Sequence, residues 1–191
     1  MTVWFTADQH FGHANIIKHC ARPFANVVEM DEEIIRRHND LVHPNDTVWH
    51  LGDFAWDFRR VRSILSRLYG HHFLVGGNHE KLHTDARVAS YGESCRNYGF
   101  EVVVASSKMD LDGNGNWDTL LVHMPPVEFS PGDTRYAADR VSIDAAKRVL
   151  CGHVHEKWMR NGPCLNVGVD QWDFAPVDLD TVRKEFAEGI T

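Results

Sequence analysis

Four polar clusters, each directly after a short apolar run, constrain this chain more than any other feature. They are Asp8-Gln9-His10, Leu51-Gly52-Asp53, Gly76-Gly77-Asn78-His79-Glu80 and Gly152-His153-Val154-His155, with a single His123 ahead of the last. The apolar runs are short and rich in β-branched and aromatic residues, so they read as strands rather than buried helices. The clusters then lie on loops at strand ends, where side chains from distant parts of the chain can meet.

The spacing between clusters predicts the connections. Residues 3–7 read as a strand and 8–15 as a loop. Residues 30–41 place Met30, Ile34, His38 and Leu41 at helical spacing, with Asp31, Glu32 and Glu33 in a first turn where the helix dipole favours them. Residues 47–51 read as a strand, 58–68 as a helix through Val61, Ile64, Leu65 and Leu68, and 72–75 as a strand. Strand and helix alternate, which predicts parallel pairing with crossover helices and an α/β class. The second half differs. Residues 101–105, 108–111 and 117–122 are extended around the turn-rich 112–116, a hairpin pattern. Residues 142–146 predict a short helix, 148–151, 164–167 and 175–179 short strands, and 181–188 a closing helix.

A chain of 191 residues suits one domain spanning 1–191. Its net charge of −7 argues against broad electrostatic attraction to nucleic acid. The start lacks a signal-peptide pattern, and no apolar run approaches the ~20 residues of a membrane span. The four cysteines form no C-x-x-C pair, which fits buried thiols in a reduced, cytoplasmic protein.

Thirteen histidines direct attention to metal ligation. Asp8 and His10 are two apart, so in extended geometry both leave one face; His153 and His155 repeat that spacing. The glycines beside Asp53 and Asn78 permit close backbone approach and unusual angles. Carboxylate, amide and imidazole donors without thiolate suit Mn, Fe, Ni, Zn or Mg. Alone, Asp8-x-His10 reads as coincidence and Gly52-Asp53 as a turn, while Gly77-Asn78-His79-Glu80 and Gly152-His153-x-His155 are sharper signals. Their recurrence, in order, at strand ends is what points to a metal centre.

The order D-x-H, G-D, G-N-H-[DE], H, G-H-x-H resembles the calcineurin-like metallophosphoesterase superfamily, with every block present between residues 8 and 155. The Thr6-Ala7-Asp8-Gln9-His10-Phe11-Gly12-His13 stretch is similar to the small, single-domain bacterial and phage members. The resemblance implies a two-sheet β-sandwich of mixed sheets flanked by helices. It implies that Asp8, His10 and His155 hold one metal, that Asn78, His123 and His153 hold a second, and that Asp53 bridges them. It leaves His79 free of metal and facing the scissile phosphate.

The chemistry stands beside the name. Two cations about 3.5–4 Å apart clamp an in-line displacement at phosphorus and lower the pKa of a water, and an imidazole can protonate the leaving oxygen. The expected activity is phosphodiester hydrolysis with two divalent ions, Mn first among the compatible metals. Phosphomonoester hydrolysis of a metabolite, nuclease action and a non-catalytic scaffold are the alternatives. The expected partner is a phosphate ester, with nucleotides and nucleic acid among the candidates; a homodimer is open and no membrane is implied.

The protein Ser/Thr phosphatases carry Gly-Asp-x-x-Asp-Arg-Gly in the second block. Here Trp56 stands in place of the second acid, and Phe58 follows Asp57. The orienter of His79 is therefore unassigned, with Asp57 and Glu80 as candidates. His13 and Asn15 line the substrate mouth or pin their loop, and Arg22 contacts phosphate or is an ordinary surface arginine. His50 reads as a packing or supporting group, and His71 and His72 as structural. Asp110-x-Asp112-x-Asn114-Gly115 starts like a calcium loop, but Leu121 occupies its twelfth position, so a hairpin turn is the reading. Asn166, Asp170 and Trp172 are expected to support His153 and His155, with substrate contact by Asp170 as the alternative.

Overall fold

In the structure, a computed structural model that describes residues 1–130, 132–143 and 146–188, the strands sort into two mixed sheets of five. The first contains β1 (Val3–Thr6), β2 (Thr47–His50), β3 (His71–Val75), β4 (Val102–Val104) and β10 (Val177–Asp178). Its order is β10-β1-β2-β3-β4, parallel throughout except for β10. The second contains β5 (Ser107–Met109), β6 (Thr119–Leu121), β7 (Arg148–Cys151), β8 (Arg160–Asn161) and β9 (Cys164–Asn166), in the order β5-β6-β7-β9-β8. There β6, β7 and β9 are parallel and the two edge strands run against them.

Period-2 alternation explains how the second sheet packs. Leu121, Leu150 and Leu165 face one way and share a cluster with Phe5, Val75 and Val177 of the first sheet. Their neighbours Leu120, Val149 and Cys164 face the other way, into a smaller cluster with Phe129 and Trp158. A third cluster joins Leu74 and Phe54 to residues of α2 (Val27–Leu41), α3 (Val61–Leu65) and α4 (Asp85–Tyr98), among them Met30, Ile64 and Cys95. Parallel register brings Thr6 opposite His50 and His50 opposite Leu74, so the loops after β1, β2 and β3 leave one edge together.

Several sequence expectations shift. Helix α2 starts at Val27 rather than Met30, because Asn26 caps it and accepts from the Val28 and Glu29 amides at 3.0 Å each. Asp31 is therefore not a dipole residue of the first turn. It is buried, accepts from the Gly12 amide at 3.0 Å and faces Arg60 at 3.3 Å. The expected 58–68 helix is a 3₁₀ turn, Phe58–Arg60, followed by the shorter α3. The hairpin forms as read, with Ser107 opposite Leu121, and Asp110 closes its loop by accepting from the Asn114 and Gly115 amides.

Two helices had no counterpart in the sequence reading. One is α1 (Ala14–His19), which begins inside the expected loop; the other is α4. Along α4 only Gly92 and Cys95 are buried, so no apolar stripe announces it. Its ends do carry signals: Thr84 accepts from the Arg87 amide, and Gly99, at φ +126°, terminates it. The helix expected over 142–146 includes residues 144 and 145, which lie outside the described residues. The chain closes with α5 (Leu179–Glu188). All four cysteines are free. Among the described residues no helix is long and apolar enough to cross a membrane.

Candidate metal centre

The loops that leave the two sheets are laced by backbone hydrogen bonds. The amides of Asp8 and His10 donate to Gly52 and Asp53 carbonyls at 3.0 and 3.1 Å, and the Val169 amide donates to the Ala7 carbonyl at 3.0 Å. Two glycines make the close approach possible. A Cβ on Gly52, which sits at φ +90°, would lie 2.8 Å from the Gly77 Cα; one on Gly77 would lie 2.2 Å from Asp53 Oδ1. Any side chain at either position would push the loops apart.

Backbone strain concentrates in the same place. Asp8, His10, Asp53, His153 and His155 all have φ between 49° and 72°. Left-handed angles in non-glycine residues cost on the order of 1–3 kcal/mol each and persist only where the surroundings impose them. This corrects the extended-strand argument for Asp8 with His10 and for His153 with His155. These side chains converge because the backbone turns sharply at each, not because a strand aims them to one face.

The convergence itself is close. Asp53 Oδ2 lies 3.3 Å from His123 Nε2 and 3.7 Å from the Nε2 atoms of both His10 and His79. Asp8 Oδ1 lies 3.9 Å from His155 Nε2 and 4.0 Å from His10 Nε2. Asn78 Oδ1 is 3.2 Å from His123 Nε2. The rings of His10 and His155 stack at 5.1 Å, and those of His123 and His153 meet edge to face at 5.2 Å. Asp8, His10 and His155 form one group whose donor atoms all lie within 4.8 Å of one another, and Asp53, His123 and His153 form another. Either can hold a metal ion, as can a third group of His10, Asp53 and His79.

Hydrogen-bond bookkeeping favours an ion in the first group. His10 is buried, yet neither of its ring nitrogens has a partner, and Asp8 Oδ1 is equally orphaned. Each such atom costs about 1–3 kcal/mol unless something satisfies it. Burial pushes His10 well below the ordinary imidazole range, so it is neutral and its lone pair is available. Burial would raise Asp53, but His123, His10 and His79 around it hold its carboxyl well below the usual range. Burial lowers His155 and His123 as well. Asp8 outweighs it at His155, which rises to about 11, and Asp53 outweighs it at His123, which rises to about 9. Protons here do what a cation would do: they neutralise buried carboxylates.

The surrounding residues aim the cluster. His155 Nδ1 meets Asp170 Oδ2 at 3.1 Å, and Asn166 and Gln171 both donate to the His155 carbonyl at 2.8 Å. This matches the support expected from the Asn166–Asp170 stretch. His123 Nδ1 donates to the Leu51 carbonyl at 2.8 Å, which turns Nε2 toward Asp53. His153 Nε2 lies 2.8 Å from Asp133 Oδ2, a partner that sequence reasoning missed because Gly132-Asp133-Thr134 looks like any turn.

His50 is a supporting group, as expected. Gln9 Nε2 donates to His50 Nδ1 at 3.0 Å, His50 Nε2 to His72 Nδ1 at 3.0 Å, and His72 Nε2 to the Leu68 carbonyl at 3.4 Å. A carbonyl only accepts, so the whole chain runs in that direction.

His79 differs from its neighbours in exposure. Its side chain is 32% exposed, against 1% for His10 and His123. Its amide donates to Asp53 Oδ1 at 2.9 Å, and its ring sits between His10 at 4.9 Å and Trp56 at 5.2 Å. Neither candidate orienter touches the ring. Asp57 caps the following 3₁₀ turn and binds Arg59. Glu80 is buried and accepts from the amides of Asp53, Phe54 and Gly77 at 2.6–2.9 Å, stapling the second and third loops together.

The three residues expected at the substrate mouth separate. His13 joins the site: its ring stacks on Trp56 at 4.0 Å and lies 5.3 Å from His10. Asn15 is exposed on α1, with no hydrogen bond to the centre among the described residues. Arg22 is not a surface residue. It is 4% exposed, pairs with Asp170 through two 2.8 Å bonds, and donates to the Asp8 and Gln9 carbonyls at 2.7 and 3.0 Å. Its donors are spent on holding the first ligand loop.

No family model matches the chain. It is 30% identical over 203 residues to the Gene 66 protein of Mycobacterium phage D29, covering 98% of each. An uncharacterized protein of Methanocaldococcus jannaschii is 28% identical over 197 residues, covering 98% of this chain and 92% of that one. Among solved structures, the protein of unknown function AQ665 from Aquifex aeolicus superposes with a TM-score of 0.73 at 24% identity, covering 96% and 98% of the two chains. That likeness shows a shared mixed α/β fold. The phosphopantetheinyl hydrolase of Mycobacterium tuberculosis superposes at a TM-score of 0.49 and 14% identity, covering 88% and 89% of the two chains.

Proposed function

The chain belongs to the family of the Gene 66 protein of Mycobacterium phage D29, and from that premise and the geometry of the centre we propose that it is a two-metal phosphodiesterase. The single observation that carries the reading is the convergence of buried carboxylate and imidazole donors with His10 and Asp8 Oδ1 left unpartnered. The donor set fits a pair of hard or borderline divalent ions. In this reading Asp8, His10 and His155 hold one ion, Asn78, His123 and His153 hold the other, and Asp53 lies between them.

Two divalent ions, with Mn expected and Fe, Ni, Zn or Mg compatible, would supply neutralisation of the phosphoryl oxygens and acidification of a water. The protein's own residues do the rest. His79 carries a proton to the leaving oxygen, and its partial exposure lets solvent restore that proton. Asp53 fixes His79 through the backbone amide rather than the ring. Glu80 keeps the Asp53 and Asn78 loops at one spacing. Asp170 and Asp133 orient His155 and His153.

The test is hydrolysis of p-nitrophenyl diesters and monoesters by protein stripped of metal and reloaded with Mn, with metal content measured in parallel. Diester turnover should fall 10²–10⁴-fold in His79→Gln, while both metals stay bound. Turnover of the monoester alone would replace the phosphodiesterase reading with a phosphatase. Failure to bind two ions would sink the two-metal reading.

A further inference from the structure

A cleft of about 510 Å³ opens beside His79 and runs along α4. Arg87, Tyr91, Ser94 and Tyr98 all line it. They recur at intervals of four, three and four, so one stripe of the helix faces the cleft. Phe58 lines the opposite wall, with its ring 6.4 Å from that of Tyr98. Tyr91 is 59% exposed.

Most of the chain's arginines are paired with carboxylates. Arg36, Arg67 and Arg148 each hold a carboxylate. Lys81 and Arg87 both line the cleft and make no ion pair among the described residues. In a chain of net charge −7, two uncommitted cations on one concave wall mark a place for an anion. The exposed ring of Tyr91 and the half-buried ring of Tyr98 beside them offer flat faces for a planar group. The volume falls within the range of small-molecule sites.

We infer that this cleft binds a nucleoside monophosphate unit as the leaving group of the substrate, with the base on the Tyr91–Tyr98 stripe and its own phosphate on Lys81 and Arg87. The inference rests on the phosphodiesterase reading for its direction: His79 lines both the centre and the cleft, so the oxygen it protonates belongs to the group in the cleft. Hydrolysis then breaks the bond between phosphorus and that oxygen. The water oxygen joins phosphorus, and a nucleoside monophosphate leaves with the proton from His79. The unit can be one half of a dinucleotide-type diester or the end of a nucleic acid strand.

The test is calorimetric titration of the full-length protein, metal-stripped and Mn-loaded, with AMP, adenosine and a 5′-phosphorylated oligoadenylate. AMP should bind more tightly than adenosine in both preparations. Arg87→Ala should weaken AMP at least tenfold and leave adenosine unchanged, whereas Tyr91→Ala should weaken both about fivefold. Both residues are exposed, so the variants retain the fold. Tighter binding of the oligonucleotide would identify a strand end as the source, and equal binding a short diester of the dinucleotide type. AMP affinity unmoved by both substitutions, or absent from the wild type, would overturn the inference. Intact AMP binding without diester turnover would instead count against the phosphodiesterase reading alone.

Discussion

The two halves of the centre are held in different ways. His155 is fixed from behind by Asp170, which is locked to the buried Arg22, which in turn grips the Asp8 and Gln9 carbonyls. That network reaches from the loop after β1 to the turn after β9 and is almost dry. His153 is fixed by Asp133, which is 13% exposed and also binds two arginines, Arg135, whose side chain is 66% exposed, and the buried Arg140 at 3.1 Å. One half is tied by buried pairs alone, and the other through a carboxylate that solvent still reaches. The buried half therefore couples metal geometry to folding, while the partly exposed half is tied to folding less tightly.

The largest effect expected from this contrast is at Arg22. Arg22→Met keeps the bulk but leaves the buried Asp170 with His155 as its remaining charged partner. Losing one partner of a buried pair costs about 3–5 kcal/mol. Urea denaturation should show that loss, together with weaker metal retention. A loss below about 1 kcal/mol would show that the network is not structural.

The histidines behind the buried half set an acid limit. Burial lowers His38 to about 4, and His50 and His72 are lowered for the same reason. A depressed histidine stabilises the fold above its unfolded value near 6.5, and that contribution disappears as pH falls toward the folded value. For His38 alone the loss is roughly 3 kcal/mol at about 1.4 kcal/mol per pH unit. Stability should therefore fall between pH 6.5 and 4, and His38→Gln should flatten the fall. An identical pH profile in the variant would remove His38 from the account.

The smallest effect sharpens the contrast from the exposed side. Asp133→Asn should weaken one metal by about 10–100-fold, the usual range for a partner of a ligating histidine. Its urea midpoint should fall less than that of Arg22→Met, because the amide keeps an oxygen for Arg135 and Arg140 and the position is partly exposed. If Asp133→Asn destabilises the protein as much as Arg22→Met, the two halves are not distinct.

Legibility followed the range of the interactions. The strands before the clusters, the parallel first sheet and the hairpin were readable, because local patterning and short connections produce them. The donor types were readable for the same reason. Arg22 was misread because its partner Asp170 lies 148 residues away and nothing local marks it. Glu80 was noticed beside His79, but its partners Asp53 and Phe54 belong to a loop 26–27 residues earlier. Helix α4 was missed because it turns an aromatic and basic stripe to a cleft instead of an apolar stripe to the core.

By itself, the sequence determined which donor atoms exist, their order and their place at strand ends, since composition and period-2 spacing are properties of short segments. Tertiary structure alone decided that they meet. Left-handed angles at Asp8, His10, Asp53, His153 and His155 are affordable only because distant loops hold them through Arg22, Glu80 and the close-packed Gly52 and Gly77.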